Sequence, residues 1–502
     1  MNSSAGRLPG IFITVILAVA IHHSYEAVIG LEVHAQLLTK SKLFCGDSTA
    51  FGAAPNSQVS AISLAHPGTL PVMNAAAIAL AVRLGLALDC EIVRDNYFAR
   101  KNYFYPDLPK GYQVSQHTAP VCIGGAVMIG KPGEKKPVRL NRIHMEEDAG
   151  KSLHDLDDAF TLIDLNRAGM PLLEIVTEPV LHSSEDAYQF LTELRRLVRW
   201  LGVCDGNMEE GSMRCDANIS IRPAGSSILG TRVEVKNLNS IRNVKKAIDI
   251  EIERLISMAE QDIPIRQETR SFNADDQTTF TLRTKESEDD YRYFPEPDLP
   301  PFHITDAYLD EVRSAMPEIP YQLEERFSRE YNLSAYDASQ LCQDKDGADL
   351  FMHLITLHVS PKPAANWIIG PLMQYAVSHN IPLQASYFPL AGIAELIRLT
   401  EESKISFQAA STRILPLMME SLQTDPLSIA REMNLLQESN QDALLQWVQE
   451  TISSMPDKVK EYRAGKKGLI GLFAGDVKKR SKGQADMQQV TTLLEQQLNN
   501  QI

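Results

Sequence analysis

Val28-Ile29-Gly30-Leu31-Glu32-Val33-His34-Ala35-Gln36 alternates apolar and polar residues, and this alternation decides how the chain folds. In an extended strand successive side chains leave opposite faces, so Ile29, Leu31, Val33, Ala35 and Leu37 take one side and Glu32, His34 and Gln36 the other. The first face reads as core. On the second, Glu32 and His34 converge on one cation or one proton, and Gly30 leaves room for a ligand beside the backbone. An isolated Glu-x-His is more often a strand edge facing water, so the reading depends on what other stretches add.

At 502 residues the chain exceeds what one core supports, and the length predicts about three domains. Hydrophobic content of 44% and charged content of 23% are those of a globular protein and argue against global disorder or a membrane bundle. The net charge of -15 excludes a uniformly basic nucleic-acid coat but permits a local basic patch. Cys45, Cys90, Cys122, Cys204, Cys215 and Cys342 show neither a C-x-x-C pair nor zinc-ribbon spacing, which predicts reduced thiols. Arg7 precedes an apolar run, Ile11 to Ile21, too short to span a bilayer as a helix, and His22-His23-Ser24 is a poor cleavage site. Residues 1–24 are therefore expected to be a non-native or dispensable extension.

From Tyr25 to Pro301 short strand patterns alternate with turn clusters and a few helices, an α+β arrangement. Ser184, followed by Glu185 and Asp186, opens one helix that Gly202 stops, and Ser240 opens another through Val244, Ala247, Ile248, Ile252, Leu255 and Ile256. Pro295, Pro297, Pro300 and Pro301 mark a first boundary. Residues 302–395 read as helical, with Trp367, Ile368 and Leu372 as core. Residues 396–502 read as short amphipathic helices carrying Lys458, Lys460, Arg463, Lys466, Lys467, Lys478, Lys479, Arg480 and Lys482. In an acidic chain that concentration suits a polyanion, although a solvated helical surface accounts for it equally well.

Arg142-Ile143-His144-Met145-Glu146-Glu147-Asp148-Ala149-Gly150-Lys151-Ser152 sets three acids beside a Gly-Lys-Ser. A phosphate loop needs glycine where Met145 stands, so that reading fails. Three adjacent acids instead suit Mg²⁺ shared with phosphate oxygens, against an even chance of a solvated turn. Glu174, flanked by Leu173, Ile175 and Val176, has to face solvent or meet a metal or cation. Arg214, Asp216, Asn218 and Ser220 alternate on a further strand after Glu209-Glu210. Lys236, Asn237 and Asn239 sit at a strand-to-helix junction favourable to anions. Arg100-Lys101-Asn102-Tyr103-Phe104-Tyr105 mixes cations with rings suited to a nucleotide or a tRNA end, and Asp290-Tyr291-Arg292-Tyr293 adds an acid, an arginine and aromatics. Strand-borne carboxylates plus cations are the parts of a phosphoryl-transfer site.

Taken in order, these segments resemble the GatB family, the kinase and transamidase subunits of the aspartyl/glutamyl-tRNA(Asn/Gln) amidotransferases. The resemblance runs from Tyr25 to the C-terminus, and the tail adds Gly471-Leu472-Phe473-Ala474-Gly475-Asp476-Val477. It implies a cradle-like antiparallel-sheet catalytic domain over 25–301, a helical domain over 302–395 and a small helical YqeY-like tail over 396–502 that touches tRNA. It implies an ATP-dependent ligase with glutamine as amido donor: ATP phosphorylates the side-chain carboxylate of mischarged Glu-tRNA(Gln) or Asp-tRNA(Asn), and ammonia displaces the phosphate. A glutaminase partner and a small third partner that straps the two together complete a cytoplasmic heterotrimer without a membrane. By the same resemblance Glu32, His34, Glu147 and Glu174 hold Mg²⁺, with His34 the least comfortable ligand. Glu210, Arg214, Asp216, Asn218 and Lys236 face the reacting groups, and Arg100, Lys101, Lys151 and Arg292 bind ATP. The chain has no Ser-Ser-Lys amidase signature and no paired Cys/His motif, so ammonia has to come from a partner. The competing expectation is a tRNA-holding protein whose acidic pocket does no chemistry.

Overall fold

The computed structural model describes residues 24–499 except 132–133, 155, 285–287, 422–424, 438–440 and 482. Residues 1–23 of the expected extension and Lys482 of the basic run lie outside the described residues. The chain forms two compact units, Met1–Ile319 and Pro320–Ile502.

The first unit is built on one large, mostly antiparallel sheet. Besides the short strands Glu91–Ile92, Cys122–Ile123 and Ala126–Ile129, which join it off its main path, its strands are β1 (Tyr25–Gln36), β2 (Ala99–Asn102), β3 (Tyr112–Ser115), β4 (Lys136–Glu147), β5 (Pro171–Thr177), β6 (Met213–Pro223), β7 (Val233–Leu238), β8 (Glu268–Asn273), β9 (Thr278–Thr284) and β10 (Phe294–Pro295). They lie in the order β9-β8-β7-β6-β1-β5-β4-β3-β2-β10. Only β7 and β8 in that series run parallel, because a helix carries the chain from one to the next and returns it in the same direction. The opening stretch is thus a central strand: Ile29, Leu31, Val33, Ala35 and Leu37 are all buried, while Glu32, His34 and Gln36 are only partly so.

Among the described residues two long helices pack on the sheet. Helix α1 (Ser184–Trp200) is capped by Ser183, whose Oγ accepts from the Asp186 amide at 3.1 Å, one residue before the start expected from sequence. Gly202 follows in a left-handed conformation. Helix α2 (Ile241–Glu260), capped by Ser240, packs on β6 through Val244, Ala247, Ile248, Leu255 and Ile256. It also buries Glu251, which binds Arg254 and Arg270.

The joint lies beyond the proline cluster. Phe302–His303 still pairs with Asp95–Asn96, Ile304 donates to the Arg94 carbonyl at 2.8 Å, and Trp200 Nε1 donates to the Glu318 carbonyl at 2.9 Å. These bonds keep the chain in the first unit as far as Ile319. The second unit is helical, with Trp367, Ile368 and Leu372 in its core as expected. Residue 395, the second expected boundary, falls inside the helix Leu390–Glu401, where Ile393, Ala394, Leu396 and Ile397 are buried. A joint there would split a packed helix. The tail's own core, including Leu444, Val448, Phe473, Val477, Val490 and Leu494, begins only with the helix Gln441–Ser454. Among the described residues no helix is long and apolar enough to cross a membrane.

One side chain replaces a missing rung beside the polar face. Pairing of β5 with β4 shifts between Val176 and Thr177, and Thr177 Oγ1 accepts from the buried Leu31 amide of β1 at 2.9 Å. Thr177→Val keeps the shape but orphans that amide. It is expected to destabilise the protein by about 1–3 kcal/mol, read as a lower urea midpoint, with Thr177→Ser close to wild type.

Candidate active site

Strand pairing assembles the site. His34 lies opposite Glu174 on one side and Arg214 on the other, Glu32 lies opposite Asp216, and Glu174 lies opposite His144. Directly opposed residues share a face. Arg214, His34, Glu174 and His144 therefore form a row across four strands, with Asp216 and Glu32 in the next row and Glu146 beyond His144.

The distances are those of a shared cluster. His34 Nε2 lies 3.7 Å from Glu32 Oε1, 3.5 Å from Glu146 Oε1 and 3.5 Å from Glu174 Oε2. His144 Nε2 lies 3.2 Å from Glu174 Oε2 and 3.6 Å from Glu146 Oε2. Ser115 Oγ donates to Glu146 Oε2 at 3.2 Å. Burial pulls both imidazoles toward neutrality, but hydrogen bonds and charge from Glu174 and Glu146, joined at His34 by Glu32, outweigh it and push each up to about 9. Burial and the neighbouring Glu174 raise Glu32, whereas the imidazoles hold Glu174 well below the usual carboxylate range despite its burial.

Two donor triads, Glu32-His34-Asp216 and His34-Glu146-Glu174, each have ligand atoms within 4.8 Å of one another. Buried carboxylates need compensation, and here protonated imidazoles provide it. A divalent cation does the same and releases those protons. Carboxylate oxygens suit Mg²⁺, and an imidazole among them also suits Mn²⁺, so the residues fit the expected ion.

Three of the four expected metal ligands meet; Glu147 does not. It follows Glu146 on β4 and therefore points through the other face, where its carboxylate accepts from the Val114 amide at 2.9 Å and binds Lys110. Glu146 takes the place assigned to it. The polar residues His144 and Glu146 alternate within the quoted stretch, so the parity argument used for β1 was available for β4 as well.

A cavity of about 590 Å³ lies against this face, lined by His34, Tyr103, Glu146, Asp148, Arg167, Arg214, Asp216 and Lys236. Lys236 binds Asp216, and Asp216 and Glu234 keep it charged against the cost of burial. Arg214 donates to Asp148 at 2.8 Å, while its Nε has no partner among the described residues. Burial would raise the Asp148 carboxyl, but Arg214 and Arg167 bring it below its ordinary value. Asn218 sits opposite Gly30, further along β1, with Oδ1 buried and unpartnered among the described residues.

The expected nucleotide-binding residues separate. Lys101 feels Glu146 and Glu174, which keep it charged despite burial, and its Nζ lies 4.9 Å above the Tyr291 ring. Its neighbour Arg100 points the other way, forks onto Glu296 with two bonds of 2.7 Å, reaches Asp298 at 3.1 Å and stacks on Tyr112. Arg100 thus clips β10 to the sheet edge and is not free for a ligand. Arg292 is exposed in a left-handed conformation, and its carbonyl accepts from Asn102. Glu210 and Lys151 line a second cavity. Arg167 went unselected in the sequence, and Asp148 was read there only as one of three adjacent acids suited to Mg²⁺; its pairing with Arg214 and Arg167 was not foreseen because nothing local indicates those partners.

In the cation-free protein, His34 and His144 titrate near 9 when folded and near 6.5 when unfolded. Their contribution to stability is complete below the lower value and disappears as pH rises through the higher. Thermal melts in chelator are expected to show the melting temperature falling between about pH 7 and 9.5. A flat or rising profile would contradict the protonated cluster.

The comparisons with known proteins agree with one another. Residues 27–310 match the family model described as the GatB/GatE catalytic domain, and residues 349–498 match the one described as the GatB domain. The chain is 44% identical over 470 residues to a Thermodesulfovibrio yellowstonii protein named as the B subunit of aspartyl/glutamyl-tRNA(Asn/Gln) amidotransferase, covering 94% of this chain and 98% of that one. A Nitrosococcus oceani protein of the same name is 45% identical over 477 residues, covering 95% and 100%.

Proposed function

The chain belongs to the GatB family of the aspartyl/glutamyl-tRNA(Asn/Gln) amidotransferases, and from that premise we propose how its residues serve the reaction. It is part of an ATP-using, glutamine-dependent carbon-nitrogen ligase that amidates mischarged tRNA. The side-chain carboxylate of Glu-tRNA(Gln) or Asp-tRNA(Asn) accepts a phosphoryl group from ATP, and ammonia then displaces phosphate. A carboxylate is a poor acyl donor, and the acyl phosphate supplies its leaving group.

The observation that carries the site assignment is the single face shared by Glu32, His34, Glu146, Glu174 and Asp216 with Arg214 and Lys236 on neighbouring strands. The carboxylates and His34 hold a divalent cation, which when bound supplies Lewis-acid charge for phosphate oxygens. Arg214 and Lys236, braced by Asp148 and Asp216, present fixed positive charge to the transferring phosphoryl group at no reorganisation cost. Lys101 adds a third cation from the sheet edge. The partners are a glutaminase, which releases ammonia from glutamine, and a small strap protein. The first unit forms the cradle, and the helical tail, with Lys478, Lys479 and Arg480 in the last turn of one helix, rests on the tRNA backbone. Mischarged tRNA places the assembly in the cytoplasm.

The test is the complex reconstituted with the glutaminase and the small partner. Glu174→Gln is expected to lower ATP-dependent phosphorylation of Glu-tRNA at least about 100-fold while tRNA affinity changes little. Unchanged phosphorylation would leave the chain as a tRNA holder only.

A further inference from the structure

His144 touches the cation site without belonging to it. Its Nε2 lies 3.2 Å from Glu174 Oε2 and 3.6 Å from Glu146 Oε2, so it faces two of the carboxylates offered to a cation, yet neither donor triad includes it. His34 is the imidazole that both triads share. Strand register sets Glu174 directly across from each ring, His34 on β1 and His144 on β4. Among the described residues the Glu174 carboxylate has no hydrogen bond or ion pair except with these two imidazoles.

The fold draws no other bond from the His144 ring. The residue is 5% exposed, and its Nδ1 is buried with no hydrogen-bond partner among the described residues. The backbone beside it is held independently: Gln116 donates its amide to the Met145 carbonyl at 3.1 Å and accepts from the Met145 amide through Oε1 at 3.0 Å. Gln116 Nε2 is in turn fixed on Asn96 Oδ1 at 2.9 Å. An orphaned buried nitrogen destabilises a fold, and here no structural bond of the ring offsets it. A neutral imidazole carries one N–H, and only Nε2 has acceptors beside it, so Nε2 is the donor whenever the ring is neutral.

We propose that His144 is a positioning residue for the cation, its Nε2–H holding the Glu174 carboxylate, with Glu146 beside it, in the orientation that meets the ion. This rests on the amidotransferase reading above and on its cation site. A carboxylate that ligates a metal is oriented by a hydrogen bond from an outer group. When His34 offers its Nε2 lone pair to the ion it no longer donates to Glu174, and His144 is then the one donor left to that carboxylate among the described residues. Glu146 keeps a second support, the Ser115 hydroxyl at 3.2 Å, so the loss of His144 falls chiefly on Glu174.

The experiment titrates Mn²⁺ into the full chain carrying His144→Gln or His144→Leu and follows binding by electron paramagnetic resonance. Both variants remove the ring and its charge, but only glutamine offers an N–H where Nε2 stood. Affinity is expected to fall at least about tenfold in His144→Leu, the scale of losing an outer group that orients a ligand, and to be largely restored in His144→Gln. Nitrogen couplings of the bound Mn²⁺ are expected to show one coordinated imidazole in wild type and in both variants. Equal affinities in the two variants would reduce His144 to a balancing charge, and a second coordinated imidazole in wild type, lost in both variants, would make it a ligand; either result overturns the proposal. If His144→Leu does not fold, His144→Met, which also lacks a donor, takes its place. A wild-type chain that binds no Mn²⁺ would instead overturn the cation site on which the proposal rests.

Discussion

Antiparallel pairing of β1 between β5 and β6 is the constraint on which the rest of the structure depends. Residues directly opposite across such a pair share a face, and a shift of one residue sends every side chain to the other side. The apolar set Ile29, Leu31, Val33 and Ala35 fixes the register by being buried. Once they are inside, Glu32 and His34 have no choice but to meet Asp216, Arg214 and Glu174. Burial of the core and assembly of the site are one event.

That arrangement concentrates negative charge where water is partly excluded. Four carboxylates within reach of one imidazole repel one another strongly in a low-dielectric setting, and the fold compensates in two ways. At the cluster's centre His34 and His144 take up protons; at its margins Lys236, Lys101 and the Arg214-Asp148-Arg167 group place fixed cations. The central compensation is exchangeable for a divalent ion, whereas the marginal one is permanent. This division matches the needs of phosphoryl transfer, in which a cation arrives with nucleotide while preset charges await the phosphates.

What was legible in the sequence followed from local pattern. The alternation in Val28–Gln36 correctly placed the core face and the polar face, and of the two outcomes open to Glu174 in its apolar strand, solvent or a cationic partner, the structure shows it buried against His34 and His144. Adjacent acids were harder: Glu146 and Glu147 differ by one residue, and although parity puts only Glu146 on the face of His144, that this face is the one meeting Glu174 is set by β4's register with β5, a long-range pairing. Arg100 and Lys101 pose the same problem on β2, where parity sends one to Glu296 and the other toward the carboxylates. Glu210 and Lys151 stood near the right motifs in the chain but face another space. Helix starts were readable to within one residue. The joint between the units was not, because short contacts such as Phe302–His303 with Asp95–Asn96 extend the first unit past its prolines.

The claim that strand parity builds a cation site is tested most directly by titrating Mn²⁺ into the full chain carrying Glu146→Gln or Glu147→Gln, with binding followed by electron paramagnetic resonance. The account predicts binding weakened by at least about tenfold, the scale of losing a group that supports a metal, in the Glu146 variant, and near-wild-type binding in the Glu147 variant. The reverse pattern, with Glu147→Gln abolishing binding and Glu146→Gln leaving it intact, would contradict it.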